Sequence, residues 1–136
     1  MTTTHTPSRG LHLTTWVLQG LLALALLGAG SSKLMTPLTE LAATLPWVLT
    51  MPEALVRFIG LAEVLGGIGL VLPAATRIRP SLTPLAAAGL VIVMVLAAGF
   101  HVSRGELAAV PVNAVLGGLA GLIAWARWTR VPISGR

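Results

Sequence analysis

The chain has 136 residues, of which 55% are hydrophobic and 10% are charged. A soluble domain carries about 25% charged residues, so this composition excludes an ordinary soluble protein and predicts a single domain, residues 1–136, embedded in a membrane. Disulfides and thiol redox chemistry are excluded because the chain has no cysteine. The net charge of +5 comes from Lys and Arg scattered between apolar runs, a pattern typical of membrane loops and not of a nucleic-acid-binding surface.

The first apolar segment covers about residues 13–30 and predicts a membrane-spanning helix. A signal peptide has a similar pattern, but further apolar segments follow, so we expect the helix to be retained. The next stretch is mixed, and Thr36-Pro37 predicts the start of a short amphipathic helix on the membrane surface. That helix is expected to end near Pro46, with Trp47 at the level of the lipid headgroups.

Three more apolar segments predict spans at about residues 54–72, 84–101 and 110–128. A capping-box pattern from Thr50 to Glu53 is expected to open the second span, and Pro73 to end it. Thr83-Pro84 is expected to open the third span. The predicted fold is therefore all-α: a bundle of four transmembrane helices, with the short interfacial helix between the first and the second.

The positive residues predict the orientation of this bundle. With four spans, both termini and the link after the second span lie on one side, which carries six Lys/Arg, whereas Lys33 and Arg104 lie on the other. The positive-inside rule then predicts that both termini are cytoplasmic, in the inner membrane of a bacterium.

The polar side chains are distributed unequally along the predicted spans. Those expected in the outer half are Lys33, Arg57, His101, Arg104, Glu106 and Asn113, whereas the inner half carries Gln19 and little else. This asymmetry predicts a pocket that opens toward the extracytoplasmic leaflet and binds a lipophilic small molecule.

Glu63 is expected near the middle of the bilayer, about 12 Å into the second span. An unpaired carboxylate is costly there, which favours a functional role in proton exchange. Direct pairing with Arg57 requires a reach along the helix groove, because the two residues lie on different helix faces. An arginine from another helix is an alternative partner, and a purely structural bond from Glu63 to Asn113 or to backbone is another.

The remaining candidates have both functional and structural interpretations. Arg57 either binds a ligand or extends to the membrane interface, and His101 is either a proton-exchanging group or an interfacial residue. Lys33 is expected to mark the membrane boundary or bind lipid phosphate, and Arg104 to bind a ligand or pair with Glu106. Asn113 is a candidate ligand contact or helix-packing group. No metal site is expected, because the three histidines are dispersed and Asp and Cys are absent.

Small residues are placed for close helix packing. The second predicted span has glycines around Glu63, and the fourth has a GxxxG pattern between Gly117 and Gly121. Packing within the bundle is the favoured interpretation, with a homo-oligomer interface as the alternative.

Together these motifs resemble the DoxX-like family of small membrane proteins over about residues 12–128. The resemblance rests on the segments Gly30-Ser-Ser-Lys-Leu34, Arg57-Phe-Ile-Gly-Leu-Ala-Glu63 with its glycine-rich continuation, His101 with Arg104-Gly-Glu106, and Asn113 before a last helix that ends Ala124-Trp-Ala-Arg127. The resemblance implies a four-helix membrane bundle. It also implies an association with thiosulfate and quinone redox chemistry or with membrane oxidoreductase complexes.

Three functions are therefore open. In the first, a redox-associated component binds a quinone or similar molecule, with Arg57 and His101 bonding its polar head and Glu63 exchanging the proton. In the second, the protein is a cofactor-free enzyme, an isomerase, cyclase or hydrolase, in which Glu63 and His101 perform acid–base chemistry on a lipophilic substrate. In the third, it is a non-catalytic accessory subunit of a membrane oxidoreductase partner.

Overall fold

The computed structural model describes residues 8–136, and within this range the fold is entirely helical. Four long helices carry the architecture and two short elements lie between the first two of them. The α-helices are α1 (Arg9–Met35), α2 (Leu38–Leu41), α3 (Glu53–Thr76), α4 (Leu82–Ser103) and α5 (Val110–Trp125). Short 3-10 turns cover Pro46–Thr50 and Leu107–Ala109, and a π-helical turn, Ala126–Arg130, extends α5.

Four segments of this fold are long and apolar enough to cross a membrane: α1, α3, α4, and Leu107–Arg130, which includes α5. Helix α1 packs mainly against α3, α3 against α4, and α4 against α5. The core where they meet is apolar and includes Leu26, Leu70 and Ile123. Outward-facing positions are apolar as well, as at Leu24 and Leu96, each 68% exposed. An apolar outer surface on all sides is typical of a bundle surrounded by lipid, so this is an integral membrane protein.

The two ends of the bundle are distinguished by which helix termini lie there. We call the end where α1 begins and α5 finishes the terminal end; the link between α3 and α4 also lies there. We call the opposite end, where α1 and α4 finish and α3 and α5 begin, the loop end. Short links join α3 to α4 and α4 to α5, and the interfacial segment with α2 joins α1 to α3 at the loop end, so each long helix runs antiparallel to the one before it.

Several helix limits differ from the sequence-based expectation. Helix α3 continues through Pro73 to Thr76, because a proline one turn from a helix end removes a single backbone donor and membrane helices tolerate that loss. The expected capping box at Thr50 is wrong: Thr50 Oγ1 donates to the Trp47 carbonyl, and Pro52 occupies the position before α3. Helix α4 begins at Leu82, earlier than Thr83-Pro84 predicted.

The helix expected in the interfacial segment is shorter than predicted. Only one turn, α2, forms after Pro37, and the 3-10 turn at Pro46–Thr50 follows it. The two turns form a small cluster in which Leu41 and Val48 are buried on Val56 of α3. This packing fixes the segment across the loop end and thereby sets the position of Trp47.

Candidate functional site

A buried ion pair joins α1 to α3. Lys33 Nζ lies 3.0 and 2.8 Å from the two carboxylate oxygens of Glu63, and the side chains are 7% and 10% exposed. Glu63 lies ten residues into α3, about 15 Å along the helix, inside a segment long enough to span a membrane. Glu63 is therefore neutralised by a lysine from the neighbouring helix. Neither Arg57 nor Asn113 bonds it.

The ion pair forms because two glycines allow the helices to approach. A Cβ added at Gly30 would lie 2.6 Å from the Gly60 carbonyl oxygen, and one at Gly60 would lie 2.8 Å from the Gly30 carbonyl oxygen. Lys33 and Glu63 each follow their glycine by three residues. Since helical side chains lean toward the helix N-terminus and the two helices are antiparallel, the two side chains lean toward each other beside the crossing.

Arg57 stabilises the C-terminal end of α1. Its Nη1 donates to the carbonyl oxygens of Lys33 and Thr36, which have no acceptor role in the α1 hydrogen-bond ladder, and its other edge binds Glu53 at 2.9 Å. A cation at a helix C-terminus also interacts favourably with the helix dipole. The arginine expected to bind a ligand thus holds the α1–α3 connection together from within the protein.

A second polar group lies where α4 ends. His101 Nδ1 is 2.7 Å from Glu106 Oε2, and Arg104 Nε donates to Glu106 Oε1 at 2.8 Å. Gly105 makes this return of the chain possible, because it adopts φ 72°, a left-handed conformation that favours glycine. The Glu106 N–H also donates to the His101 carbonyl, which closes the turn. One carboxylate thus holds both the imidazole and the guanidinium.

The charges of this turn lower the pKa of Glu106. The hydrogen bond from Arg104 is the largest cause, and the bond to His101 adds to it. Glu106 is therefore ionised at neutral pH and acts as an acceptor toward both neighbours. An ionised Glu106 selects the ring form in which His101 Nδ1 carries hydrogen, so that Nδ1 donates to the carboxylate.

Two aromatic rings flank His101. The ring centroid of Trp47 lies 6.3 Å from that of His101, and the Phe100 centroid lies 5.4 Å away, both edge to face. Arg104 sits over the Phe100 ring at 5.2 Å. Within residues 8–136 the second nitrogen of the imidazole, Nε2, has no hydrogen-bond partner, and one tenth of the side chain is accessible. We call Trp47, Phe100, His101, Arg104 and Glu106 the loop-end cluster.

The candidates from the sequence therefore lie in two separate groups. Lys33, Arg57 and Glu63 connect α1 with α3, whereas His101 and Arg104 belong to the loop-end cluster. Asn113 joins neither group by hydrogen bonds, since its side-chain amide donates to the Ala109 carbonyl of its own helix at 3.2 Å. Trp47 was expected to lie at the level of the lipid headgroups. In the structure its ring contacts His101, because the fold of the interfacial segment brings it there.

A third polar group lies at the terminal end, where the sequence motifs indicated no site. Arg127, expected to be part of a basic tail, is 3% exposed and donates to Gln19, which in turn donates to the Leu70 carbonyl. His12 and Trp16 of α1 complete the group: Arg127 lies over the Trp16 ring at 5.1 Å, and Nη1 is 3.3 Å from His12 Nδ1. The lone polar residue Gln19 in an otherwise apolar half-span was the available signal.

The sequence model of the DoxX-like family matches residues 17–124, which include all four membrane-spanning helices in large part. No curated protein and no solved structure matches the chain.

Proposed function

This chain belongs to the DoxX-like family, and we propose that it binds the polar head of a quinone-type lipophilic molecule at the loop-end cluster. The observation that carries the proposal is the His101–Glu106 pair set among aromatic rings at the end of a membrane-spanning helix. The imidazole has an available nitrogen, and the rings beside it offer apolar surface to a flat ligand.

The chemistry of the pair suits a carbonyl ligand. With Glu106 accepting from Nδ1, the neutral His101 ring presents Nε2 as an acceptor, and the protonated ring presents an Nε2–H donor. A quinone, when bound, would supply carbonyl oxygens that accept hydrogen bonds and that take up protons when a separate redox partner delivers two electrons to the ring. His101 would donate to such an oxygen and pass on a proton, while Glu106 stabilises the charged ring and Arg104 holds Glu106 in place.

The ion pair between Lys33 and Glu63 has a different part in this proposal. Both carboxylate oxygens of Glu63 are occupied by Lys33 and the pair is buried, so it is less available to a ligand than His101. We assign to it, with Arg57, the positioning of α1 and α3, on which the segment carrying Trp47 rests. Proton exchange is assigned to His101 instead of Glu63.

Titration with a short-chain quinone tests the proposal. Quinones quench tryptophan fluorescence, and Trp47 is in edge contact with His101. We expect His101→Phe to weaken binding about tenfold or more, the loss of one charge-assisted hydrogen bond, while keeping an aromatic ring. His12→Phe, the same change at the terminal end, is the matched control and should bind like the wild type. Equal affinity in all three proteins would refute the proposal.

The same pair would also serve acid–base chemistry on a lipophilic substrate. Mass spectrometry of the titrated ligand separates the two functions, because an isomerase, cyclase or hydrolase releases an altered molecule without added reductant. Recovery of the intact quinone, bound in a manner that depends on His101, supports the redox-associated function. Recovery of an altered molecule supports the enzyme instead.

A further inference from the structure

The terminal end contains a buried positive charge without a counter-ion. Arg127 is 3% exposed and forms no salt bridge within residues 8–136. The first seven residues contain no acidic side chain, and the four glutamates of the chain all belong to the loop-end half: Glu40, Glu53, Glu63 and Glu106. A buried charge is costly unless it is paired, so this guanidinium lacks the partner that proteins ordinarily provide.

One edge of the Arg127 guanidinium is free of hydrogen bonds. Nε donates to Gln19, and Nη1 donates to the Val131 carbonyl at 3.1 Å, in addition to its contact with His12. Nη2 is buried and makes no hydrogen bond within the described residues. Arg127 lies in the π-helical turn, a rare local structure that is frequent at functional sites.

A cavity of about 230 Å³ adjoins this arginine. Its wall is otherwise formed by the link before α4 and by the chain after α5, at Pro80, Ser81, Pro84, Trp128, Pro132 and Ile133. The buried hydroxyl of Thr83, next to Pro84 in the chain, also has no hydrogen-bond partner within residues 8–136. Two unpartnered polar atoms are thus found at this one end of the bundle.

The outer wall of the cavity is held by few bonds. Pro132 and Ile133 also border a neighbouring cavity of about 370 Å³, which His12 and Arg77 line. Beyond them, Arg77 Nε donates to the Ser134 carbonyl at 3.1 Å, and the N–H of Arg136 donates to the Arg77 carbonyl at 3.2 Å. Pro132–Arg136 has no helical structure, and Arg127 itself lines the smaller cavity together with Pro132 and Ile133.

We propose that Arg127 is the anchor of a binding site for a phosphate group at the terminal end, carried either by a lipid headgroup or by a free phosphate compound. The anion would accept from Nη2 and neutralise the guanidinium, and charge-assisted bonds of this kind are among the strongest that a protein forms. The apolar lining of Pro80, Pro84 and Trp128 fits the part of a ligand next to its phosphate. This site is independent of the loop-end cluster.

The first test uses inorganic phosphate on the purified full chain in a neutral detergent. We expect phosphate to raise the melting temperature of the wild type relative to chloride at the same ionic strength. Arg127→Gln should weaken phosphate binding roughly 10- to 100-fold. The matched control is Arg130→Gln, which removes an arginine from the same turn whose guanidinium lies over the exposed ring of Trp125. It should keep the effect of phosphate.

A second pair of variants tests the same site if Arg127→Gln does not fold. Ser81 lines the cavity and its side chain makes no capping bond to α4. Ser81→Asp places a carboxylate on the wall of the cavity that Arg127 lines and should abolish the effect of phosphate, whereas the neutral Ser81→Asn should preserve it. Equal responses of these two variants to phosphate would overturn the proposal.

A lipid test separates the two sources of phosphate. Native mass spectrometry is carried out on protein from phosphatidylcholine vesicles with and without phosphatidylglycerol. The phosphate belongs to a lipid headgroup if the wild type and Arg130→Gln retain phosphatidylglycerol while Arg127→Gln or Ser81→Asp loses it. The phosphate belongs to a free compound if inorganic phosphate shifts the melting temperature and no phosphatidylglycerol is retained. If neither ligand depends on Arg127 and Ser81, the proposal is wrong.

Discussion

Replacing Lys33 with methionine keeps the length of the side chain and removes the cation that faces Glu63. Both side chains are buried, at 7% and 10% exposure, so the variant leaves a carboxylate without a counter-charge among apolar helices. Breaking a buried ion pair from one side costs about 3 to 5 kcal/mol of unfolding free energy. We expect a loss of this size for Lys33→Met and, for the same reason, for Glu63→Met.

The double variant Lys33→Met/Glu63→Met identifies the cause of that loss. Replacing a whole buried pair by apolar side chains is often neutral or stabilising, so the double variant should be more stable than either single variant. If the two substitutions acted independently, their losses of unfolding free energy would add to about 6 kcal/mol or more in the double variant. The control is Glu53→Gln, which removes a salt bridge whose carboxylate is 62% exposed and should cost less than about 1 kcal/mol.

The assay is reversible unfolding in mixed micelles with increasing denaturing detergent, followed by circular dichroism. If the double variant loses as much stability as the sum of the single variants, the pair does not act as a unit. If Lys33→Met is as stable as the wild type, the buried ion pair does not hold α1 on α3.

Local geometry also sets the cost of three single substitutions. Gly30→Ala should cost about 1 to 3 kcal/mol in the same unfolding assay, because its methyl group would press on backbone, whereas Gly28→Ala has open space and should cost nothing. Arg57→Gln should cost about 1 to 2 kcal/mol through loss of its bonds to the end of α1, more than Glu53→Gln costs, and equal losses would contradict this assignment. Because the pKa of Glu106 is lowered in the folded protein, its ionised form stabilises the fold above the unfolded value of about 4.3, and this contribution is lost as the pH falls through the folded pKa. Melting curves between neutral and acidic pH should therefore converge for wild type and Glu106→Gln, and parallel curves would refute the reasoning.

The four-helix membrane architecture was predictable because each span is a long apolar run, a signal that depends only on local sequence. The extension of α3 past Pro73 was not, since proline stops helices in water more strictly than in a membrane protein. The interfacial turns depended on tertiary packing of Val48 on α3. The family match to residues 17–124 confirms the resemblance to DoxX-like proteins that the motifs indicated.

The site was less predictable because its contacts join distant parts of the chain. Lys33 and Glu63 are 30 positions apart, and their pairing depends on the approach of two helix backbones at Gly30 and Gly60. Equal three-residue spacings after these glycines were visible in the sequence, but their alignment across an antiparallel pair was not. Arg127 and Gln19, 108 positions apart, required the closure of the whole bundle.

Photolabelling shows directly whether a quinone-type molecule binds at the loop-end cluster. The protein is illuminated with a photoreactive quinone analogue in lipid vesicles, digested, and the labelled peptides are identified by mass spectrometry. We expect labels at Pro46–Thr50 and at residues 100–106, and loss of those labels when unmodified quinone is added in excess. Labels confined to the terminal end, around Ala126–Arg130, or labels that excess quinone does not displace, would contradict it.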